Sequence, residues 1–245
     1  MNINQKLIII YVKRLGGEIR GRSIMHIADG ILTGKWIAIT YAITILFIAI
    51  GVREIKKKSQ ENPEYIPKLA LMGAAVFVIS IWHIPVPVTG SSSHPIGTPL
   101  AAILVGGFPT VVISTIGLFF HMFLAHGGLT TLGANTINMG IIGTFSGLFI
   151  YLALRKIGLS FWISAGLAGF VGDMLTYVGT AFTLALSLGT DGNVMALWKI
   201  FMTGFAFTQI PLAIVELVFT AGIIHYIANN KSELLNKSGM GDRIV

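Results

Sequence analysis

Residues 83–97 read HIPVPVTGSSSHPIG, a proline-rich and polar stretch that lies between two strongly apolar blocks. Its three prolines and two glycines exclude a continuous helix. Because apolar sequence adjoins it on both sides, the stretch is expected at membrane depth, where irregular backbone is tolerated only when it is buried in protein or lines a cavity. The sequence therefore predicts a re-entrant Pro/Gly/Ser-rich loop folded back into a helical bundle.

The composition of the 245-residue chain indicates the same class of protein. Hydrophobic residues make up 54% and charged residues 11%, with a mean hydropathy of +0.80; soluble domains carry about 25% charged residues. The net charge of +7 then indicates basic loops at a membrane surface and not a nucleic-acid partner. The chain has no cysteine, which excludes disulfides and thiolate metal sites. We expect an all-α polytopic membrane protein and not a soluble enzyme.

Apolar blocks and basic clusters together predict the topology. The blocks cover residues 36–52, 69–82, 100–124, 132–154, 157–188 and 198–227. Basic clusters at 53–58 and 155–156 and the C-terminal tail are assigned to the cytoplasm, which requires an even number of crossings between the two clusters. The third block, interrupted by Gly-Gly-Phe-Pro at 106–109, is therefore expected to divide. This gives about seven transmembrane helices in the cell membrane, with Met25 and His26 outside.

Three polar stretches are candidates for a binding site: residues 25–30 (MHIADG), the proline-rich loop, and residues 125–136 (AHGGLTTLGANT). Without cysteine, the nitrogen donors available to a metal are the histidines, backbone amides and an N-terminal amine. If Met25 began the mature chain, its amine, the His26 amide and the His26 imidazole could chelate one ion in a plane. A histidine of the proline-rich loop would complete four nitrogens.

That chelate requires a free amine at Met25, whereas residues 1–24 precede it. This basic extension holds five bases and one acid on the side assigned to the outside. Its apolar core, residues 7–12, is short for a signal peptide, and no small-x-small cleavage site precedes Met25. Our hypothesis is that translation starts at Met25, that residues 25–230 form a single transmembrane bundle, and that residues 231–245 form a polar cytoplasmic tail.

In these three motifs, and in their order, the sequence resembles the CbiM/NikM family, the substrate-binding membrane (S) components of energy-coupling factor transporters for cobalt and nickel. The resemblance implies a seven-helix bundle whose metal site faces outside, with Met25, His26 and His94 as ligands. It also implies three kinds of partner: a transmembrane coupling (T) protein, two cytoplasmic ATPase subunits and a small accessory membrane protein.

The same resemblance bears on the substrate. Co²⁺ or Ni²⁺ would be a transported substrate and not a prosthetic group, and the sequence contains no phosphate-binding loop of its own, so we expect no enzyme activity. The amino acids of the second and third motifs resemble those of the cobalt transporters of this family, which supply cobalamin biosynthesis. Nickel uptake by the same type of transporter is the alternative. Remote alternatives are a stand-alone secondary metal transporter and an intramembrane metal-dependent hydrolase, although the sequence has no His-Glu-x-x-His motif.

The remaining polar residues are assigned supporting or structural roles. Candidates to orient the metal ligands by hydrogen bonds are Asn135, Asp29, Ser92 and His126. We expect His83 and His225 to lie at interfaces and His121 to pack internally. We expect Asp173 to make a hydrogen bond inside the bundle, and Glu216 to contact a partner or lie near the membrane edge.

Small residues recur at helical spacing in two places, which lets another helix approach closely. Gly143 and Gly147 form one pair, and Ala38 and Ala42 form the other. Packing inside the bundle is one interpretation of such spacing. Contact with a helix of a partner protein is the other, and Ala38 and Ala42 are the candidates for it.

Overall fold

A computed structural model describes residues 26, 27, 29–86, 91–124, 127–189 and 192–230. These residues form a helical bundle with one short hairpin. The helices are α1 (Gly34–Glu61), α2 (Tyr65–Ile81), α3 (Thr98–Val105), α4 (Gly107–Phe123), α5 (Leu132–Lys156), α6 (Phe161–Leu188) and α7 (Val194–Asn230). Within α5, Thr136–Gly143 is π-helical. The hairpin strands are β1 (Ile84–Val86) and β2 (Ser91–Ser93).

Four of these helices, α1, α5, α6 and α7, are long and apolar enough to cross a membrane. The apolar helices α2 and α4 have 17 residues each, about 25 Å of rise against a hydrocarbon core of about 30 Å. Helix α3 has 8 residues, about 12 Å of rise. The prediction of a multi-pass helical membrane protein is confirmed, whereas the count of seven crossings and the re-entrant loop stay predictions.

The Gly-Gly-Phe-Pro sequence divides the third apolar block, as predicted. Helix α3 ends at Val105 and α4 begins at Gly107, and Gly106 between them has φ +103°, a conformation that favours glycine. A Cβ atom at Gly106 would also lie 2.6 Å from the Lys58 amino group. Pro109 falls in the first turn of α4, where a missing backbone N–H costs no helical hydrogen bond.

The C-terminal end of α3 lies against the basic end of α1. The carbonyl oxygen of Val105 accepts hydrogen bonds from the Lys58 amino group at 3.1 Å and from the Tyr65 hydroxyl at 2.9 Å. Lys58 also pairs with Glu54 at 2.6 Å. These contacts satisfy a carbonyl that the short helix leaves without an intrahelical partner.

The two pairs of small residues have different surroundings. Gly143 and Gly147 pack inside the bundle, since a Cβ atom at Gly147 would lie 2.7 Å from Pro99 of α3, and one at Gly143 would lie 2.7 Å from Ile96. Ala38 and Ala42 are exposed on α1 in the part of the chain that the structure describes. Internal packing is therefore right for the glycine pair and wrong for the alanine pair, whose contact with a partner helix stays a prediction.

The proline-rich loop contains regular structure that the all-α prediction lacked. Strands β1 and β2 pair antiparallel, with Ile84 opposite Ser93, Pro85 opposite Ser92 and Val86 opposite Ser91. Pro85 fits in β1 because a two-stranded hairpin leaves one edge of each strand unpaired, and on that edge no backbone N–H is needed. Its residues 87–90, with Gly90 of the second motif, lie outside the described residues.

Candidate metal centre

Three buried histidines form a row at the end of the bundle opposite the basic clusters. His26 lies in the middle: its Nδ1 atom is 3.2 Å from His94 Nε2, and its Nε2 atom is 3.0 Å from His121 Nδ1. The three residues are 6%, 3% and 0% exposed, respectively. The row brings together the segment before α1, the loop before α3, and the last turn of α4.

Backbone carbonyls determine the protonation of the outer two rings. His94 Nδ1 lies 2.9 Å from the carbonyl oxygen of Pro95, and His121 Nε2 lies 3.2 Å from that of Phe77. A carbonyl only accepts, so each of these ring nitrogens carries the proton. The other nitrogens, His94 Nε2 and His121 Nδ1, then present lone pairs towards His26.

A neutral His26 has one ring proton for these two lone pairs. Donation from Nε2 to His121 leaves the lone pair of His26 on Nδ1, 3.2 Å from His94 Nε2, whereas donation from Nδ1 to His94 leaves it on Nε2, 3.0 Å from His121 Nδ1. Two nitrogens bound at about 2.0 Å to one ion are about 2.8 Å apart at a right angle and about 3.3 Å apart at a tetrahedral angle. The spacing of His26 Nδ1 and His94 Nε2 is therefore suited to two ligands of one transition-metal ion.

His121 is the residue that sequence analysis missed. His121 is buried, as the prediction of internal packing requires. It also contacts His26, which that prediction did not include. Histidines that bind metals commonly donate their second ring nitrogen to an outer acceptor, which fixes the tautomer. His121 Nδ1, 3.0 Å from His26 Nε2, is placed to serve as such an acceptor when His26 binds an ion through Nδ1. It lies 95 residues from His26 in sequence and belongs to none of the three motifs.

His94 is held in place by its own backbone. Its N–H donates to the Tyr177 hydroxyl at 2.8 Å, and that hydroxyl lies 3.3 Å from the carbonyl oxygens of both Ser92 and His94. Tyr177 lies on α6 and is itself buried. The backbone oxygen of Ser92, a predicted supporting residue, is thus part of the network around His94.

Asn135, a candidate to orient the metal ligands, bonds to the backbone directly after His26. Its Oδ1 atom accepts the Ile27 N–H at 3.1 Å, and its Nδ2 atom donates to the Ile27 carbonyl at 3.4 Å. The Thr131 hydroxyl donates to the same carbonyl at 2.6 Å. Asn135 therefore fixes the backbone directly after His26 against the start of α5.

Asp29 holds the third motif and does not reach a ligand imidazole. Its Oδ1 atom accepts from the backbone N–H of Thr130 at 2.9 Å and from the Thr130 hydroxyl at 2.5 Å. Gly128 is required beside it, because a Cβ atom there would overlap the Asp29 carboxylate. These contacts tie the segment before α1 to the turn before α5.

A cavity of about 10 Å³ adjoins His26 and His94, room for about one water-sized sphere. It is lined by the two histidines, Asn135, Met139 and the hydroxyl-bearing Thr176, Tyr177 and Thr180. A space of this size matches a single ion or water molecule.

The other predicted histidines and Met25 divide into two groups. His83, half-buried beyond the end of α2, bonds to the Ile81 carbonyl at 2.9 Å, and exposed His225 bonds to Asn229 at 2.9 Å, so neither joins the row. Met25 and His126 lie outside the described residues. In the part of the chain that the structure describes, no three His, Asp or Glu side chains form a group that could hold an ion by themselves.

The two intramembrane carboxyl groups both lie in the interior. Asp173 accepts a hydrogen bond from Gln209, which confirms the predicted bond inside the bundle. Glu216 was predicted at a partner contact or the membrane edge, and this is wrong. It is buried and accepts the backbone N–H groups of Ile96 and Gly97, because the face of α7 that carries it packs against the loop.

The bundle and its histidine row define an α-helical membrane protein whose interior presents imidazole nitrogens, the donors that suit Zn, Cu, Fe and Ni. Comparison with known proteins narrows this class. Residues 26–234 match the family model described as CbiM, cobalt uptake substrate-specific transmembrane region, and the chain belongs to this family.

Individual relatives agree with that assignment. The cobalt transport protein CbiM of Sorangium cellulosum is 39% identical over 214 residues, which cover 87% of this chain and 95% of that protein. The CbiM protein of Thermosipho melanesiensis is 45% identical over 217 residues, covering 87% and 91%. The crystal structure of a truncated transition metal transporter superposes with a TM-score of 0.75 at 28% identity, covering 84% of this chain and 99% of that chain.

Proposed function

We propose that this chain is the substrate-binding (S) component of an energy-coupling factor importer, in which it captures Co²⁺ for cobalamin biosynthesis. The observation that carries the proposal is the approach of His26 Nδ1 to His94 Nε2 at 3.2 Å, with His94 Nδ1 bonded to the Pro95 carbonyl and His26 Nε2 lying 3.0 Å from His121 Nδ1. Both rings are oriented to offer a lone pair to one ion.

The proposed ligand set is the Met25 amine, the His26 amide nitrogen, His26 Nδ1 and His94 Nε2. Amine and amide close a five-membered chelate ring with the ion, and amide and Nδ1 close a six-membered one. This geometry requires Nδ1 and not Nε2 of His26, and it leaves Nε2, 3.0 Å from His121 Nδ1, to carry the ring proton and donate to His121. Coordination by the His26 amide nitrogen requires the loss of its proton, which would be released to solvent when the ion binds.

A free amine at Met25 is part of the proposal. The match to the family model begins at residue 26, directly after Met25. Residues 1–24 would then be absent from the mature chain, whose bundle covers residues 25–230 and whose cytoplasmic tail covers 231–245. Mass spectrometry of the native N-terminus tests this point directly, since an N-terminus at Met1 would remove the chelate.

The choice between cobalt and nickel depends on two opposing arguments. The relatives are named as cobalt transport proteins, whereas planar coordination by four nitrogens favours Ni²⁺ or Cu²⁺. Low-spin cobalt also accepts a planar nitrogen set. We therefore propose Co²⁺ as the substrate and keep nickel uptake as the alternative.

The proposed orientation has the metal site outside and the C-terminus in the cytoplasm. It is supported by the position of the histidine row at the end of the bundle opposite Lys58 and Arg155. The loop and α3 would then form one crossing together: the loop enters from the outer side, and α3 ends at Val105 beside Lys58. With this composite crossing the chain crosses the membrane seven times.

A binding protein of this kind needs partners to move the ion across. We propose the transmembrane coupling protein, two cytoplasmic ATPase subunits and the small accessory membrane protein. The exposed Ala38 and Ala42 of α1 are the proposed contact with a partner helix. Uptake into vesicles with and without the coupling and ATPase subunits tests this, because ATP-independent, proton-driven uptake by the chain alone would favour a secondary transporter.

The metal site is tested by calorimetric titration of purified protein with Co²⁺, Ni²⁺ and Zn²⁺. The chain that begins at Met25 is expected to bind one ion, and His26→Ala and His94→Ala are each expected to abolish tight binding. His225→Ala is the matched control and is expected to bind as the parent does. Normal binding by both ligand variants would overturn the assignment.

The amine is tested separately by one serine added before Met25. The extra residue moves the terminal amine out of the chelate while both imidazoles stay in place. We expect binding to be lost or weakened by orders of magnitude. Equal affinity of the two chains would exclude the Met25 amine as a ligand.

A further inference from the structure

The loop that carries His94 is attached to α7 by a buried carboxylate. Glu216 is 1% exposed, and each of its oxygens accepts one backbone N–H of the loop: Oε2 accepts that of Ile96 at 3.2 Å, and Oε1 accepts that of Gly97 at 3.0 Å. Ile96 and Gly97 follow His94 by two and three residues. The carboxylate therefore binds the backbone directly beside the proposed metal ligand.

The chemistry of this attachment makes it strong and specific. Hydrogen bonds from N–H groups to a carboxylate are about twice as strong as those between neutral groups. Among the described residues the one ion pair is that of Lys58 and Glu54, so the backbone N–H groups of the loop are the donors that offset the buried charge of Glu216. Gly97 has φ +65° and directly precedes α3, whose N-terminal end also favours a negative charge.

Helix α7 contacts the loop at a second point on the other side of His94. The Thr208 and Ser93 hydroxyl oxygens are 2.7 Å apart. Thr208 and Glu216 are eight residues apart on the same helix, about 12 Å along its axis. The two contacts enclose His94 and Pro95, so α7 determines where this short segment lies.

From these contacts we propose that Glu216 is a positioning residue for the metal site. It acts through the backbone of Ile96 and Gly97 and sets the distance of His94 Nε2 from His26 Nδ1. The inference rests on the proposed function, because it assigns the placement of a proposed ligand. Helix α7 contributes none of the proposed ligands, yet through Glu216 it controls the affinity for the metal.

A competing explanation is that any buried negative charge near the site attracts the cation. Asp173 separates the two explanations, because it is equally buried, lies on neighbouring α6, and bonds to Gln209 and not to the loop. Attraction by charge predicts weaker binding on loss of either carboxyl group that is ionised, whereas hydrogen exchange at Ile96 and Gly97 responds to the loop contact of Glu216 in either protonation state. Positioning predicts a strong effect for Glu216 alone.

The experiment compares Glu216→Gln, Asp173→Asn and the exposed control Glu61→Gln, in the full chain and in the chain that begins at Met25. Glutamine keeps the size of Glu216 but offers one acceptor and a competing N–H₂ group to the two loop donors. We expect Glu216→Gln to bind Co²⁺ and Ni²⁺ about 10- to 100-fold more weakly. We expect Asp173→Asn and Glu61→Gln to bind within about twofold of the parent, since neither loses a contact with the loop.

A second measurement reports on the loop itself. Hydrogen exchange of the peptide that contains Ile96 and Gly97, without metal, is expected to be faster in Glu216→Gln and unchanged in Asp173→Asn. The ligand-field absorption of bound Ni²⁺ is expected to shift in Glu216→Gln, because a displaced imidazole changes the coordination geometry. A general loss of stability would not speed hydrogen exchange in this one peptide alone, and it would not shift the absorption of bound Ni²⁺.

Each outcome decides between the explanations. Equal weakening in Glu216→Gln and Asp173→Asn overturns positioning in favour of charge. A Glu216→Gln variant that binds as the parent does, while His94→Ala loses binding, overturns this inference and leaves the proposed function intact. A parent chain that binds no metal overturns both.

Discussion

The contact between His26 and His121 leads to the sharpest prediction. Replacing His121 by Phe preserves a ring of similar size in the 0% exposed position but removes Nδ1, which lies 3.0 Å from His26 Nε2 and would accept its proton in the metal-binding tautomer. His26 is then free to carry its proton on Nδ1, the nitrogen that the ion requires. We expect metal binding to weaken.

The magnitude follows from the lost hydrogen bond. A buried donor without a partner costs about 1–3 kcal/mol, and loss of an outer partner of a ligating histidine typically costs 10- to 100-fold in metal affinity. At about 1.4 kcal/mol for each factor of ten, the two estimates agree. We expect His121→Phe to raise the dissociation constant for Co²⁺ and Ni²⁺ by about 10- to 100-fold.

His121→Asn is the matched control. The Oδ1 atom of asparagine occupies nearly the position of histidine Nδ1, so it still accepts from His26 while the contact to the Phe77 carbonyl is lost. Calorimetric titration of the parent chain and both variants, with thermal unfolding as a check on folding, is the assay. Equal affinity of His121→Phe and the parent would refute the argument, as would an equal loss in both variants.

Further predictions concern protons and the backbone around the site. Affinity for the ion is expected to fall as the pH is lowered from about 8 to about 6, because the imidazoles, with an ordinary pKa of about 6.5, must be neutral to bind; a flat titration series over this range would contradict imidazole ligation. Asn135→Ala removes both hydrogen bonds to the Ile27 backbone and is expected to lower stability by about 1–3 kcal/mol and to weaken metal binding, measured by thermal unfolding and titration. Gly128→Ala is expected to destabilise the protein because its Cβ atom would overlap Asp29, whereas Gly222→Ala, which has open space, is expected to leave the melting temperature nearly unchanged.

The same contacts connect the two proposed ligands to different helices of the bundle. His26 is supported by α4 and α5 through His121 and Asn135, and His94 is supported by α6 and α7 through Tyr177 and Glu216. A relative movement of these two helix pairs would therefore change the distance between the two ligand nitrogens.

The amino-acid sequence by itself determined the class of protein and the division of the third apolar block. Both follow from local properties: hydropathy over about 20 residues sets a crossing helix, and the Gly-Gly-Phe-Pro sequence favours a helix break, which in the structure takes the form of a positive φ at Gly106. The motifs also indicated His26, His94 and Asn135, since their residue types and spacing carry metal-binding chemistry without reference to the fold.

Only the tertiary structure decided which groups meet. His121 reaches His26 across 95 residues of sequence, and Glu216 reaches Gly97 across 119. A histidine or glutamate within an apolar block has the same local pattern whether it faces lipid, a neighbouring helix or a ligand. The packing of α4 and α7 against the loop and the segment before α1 turned these two buried side chains into supports of the proposed metal site.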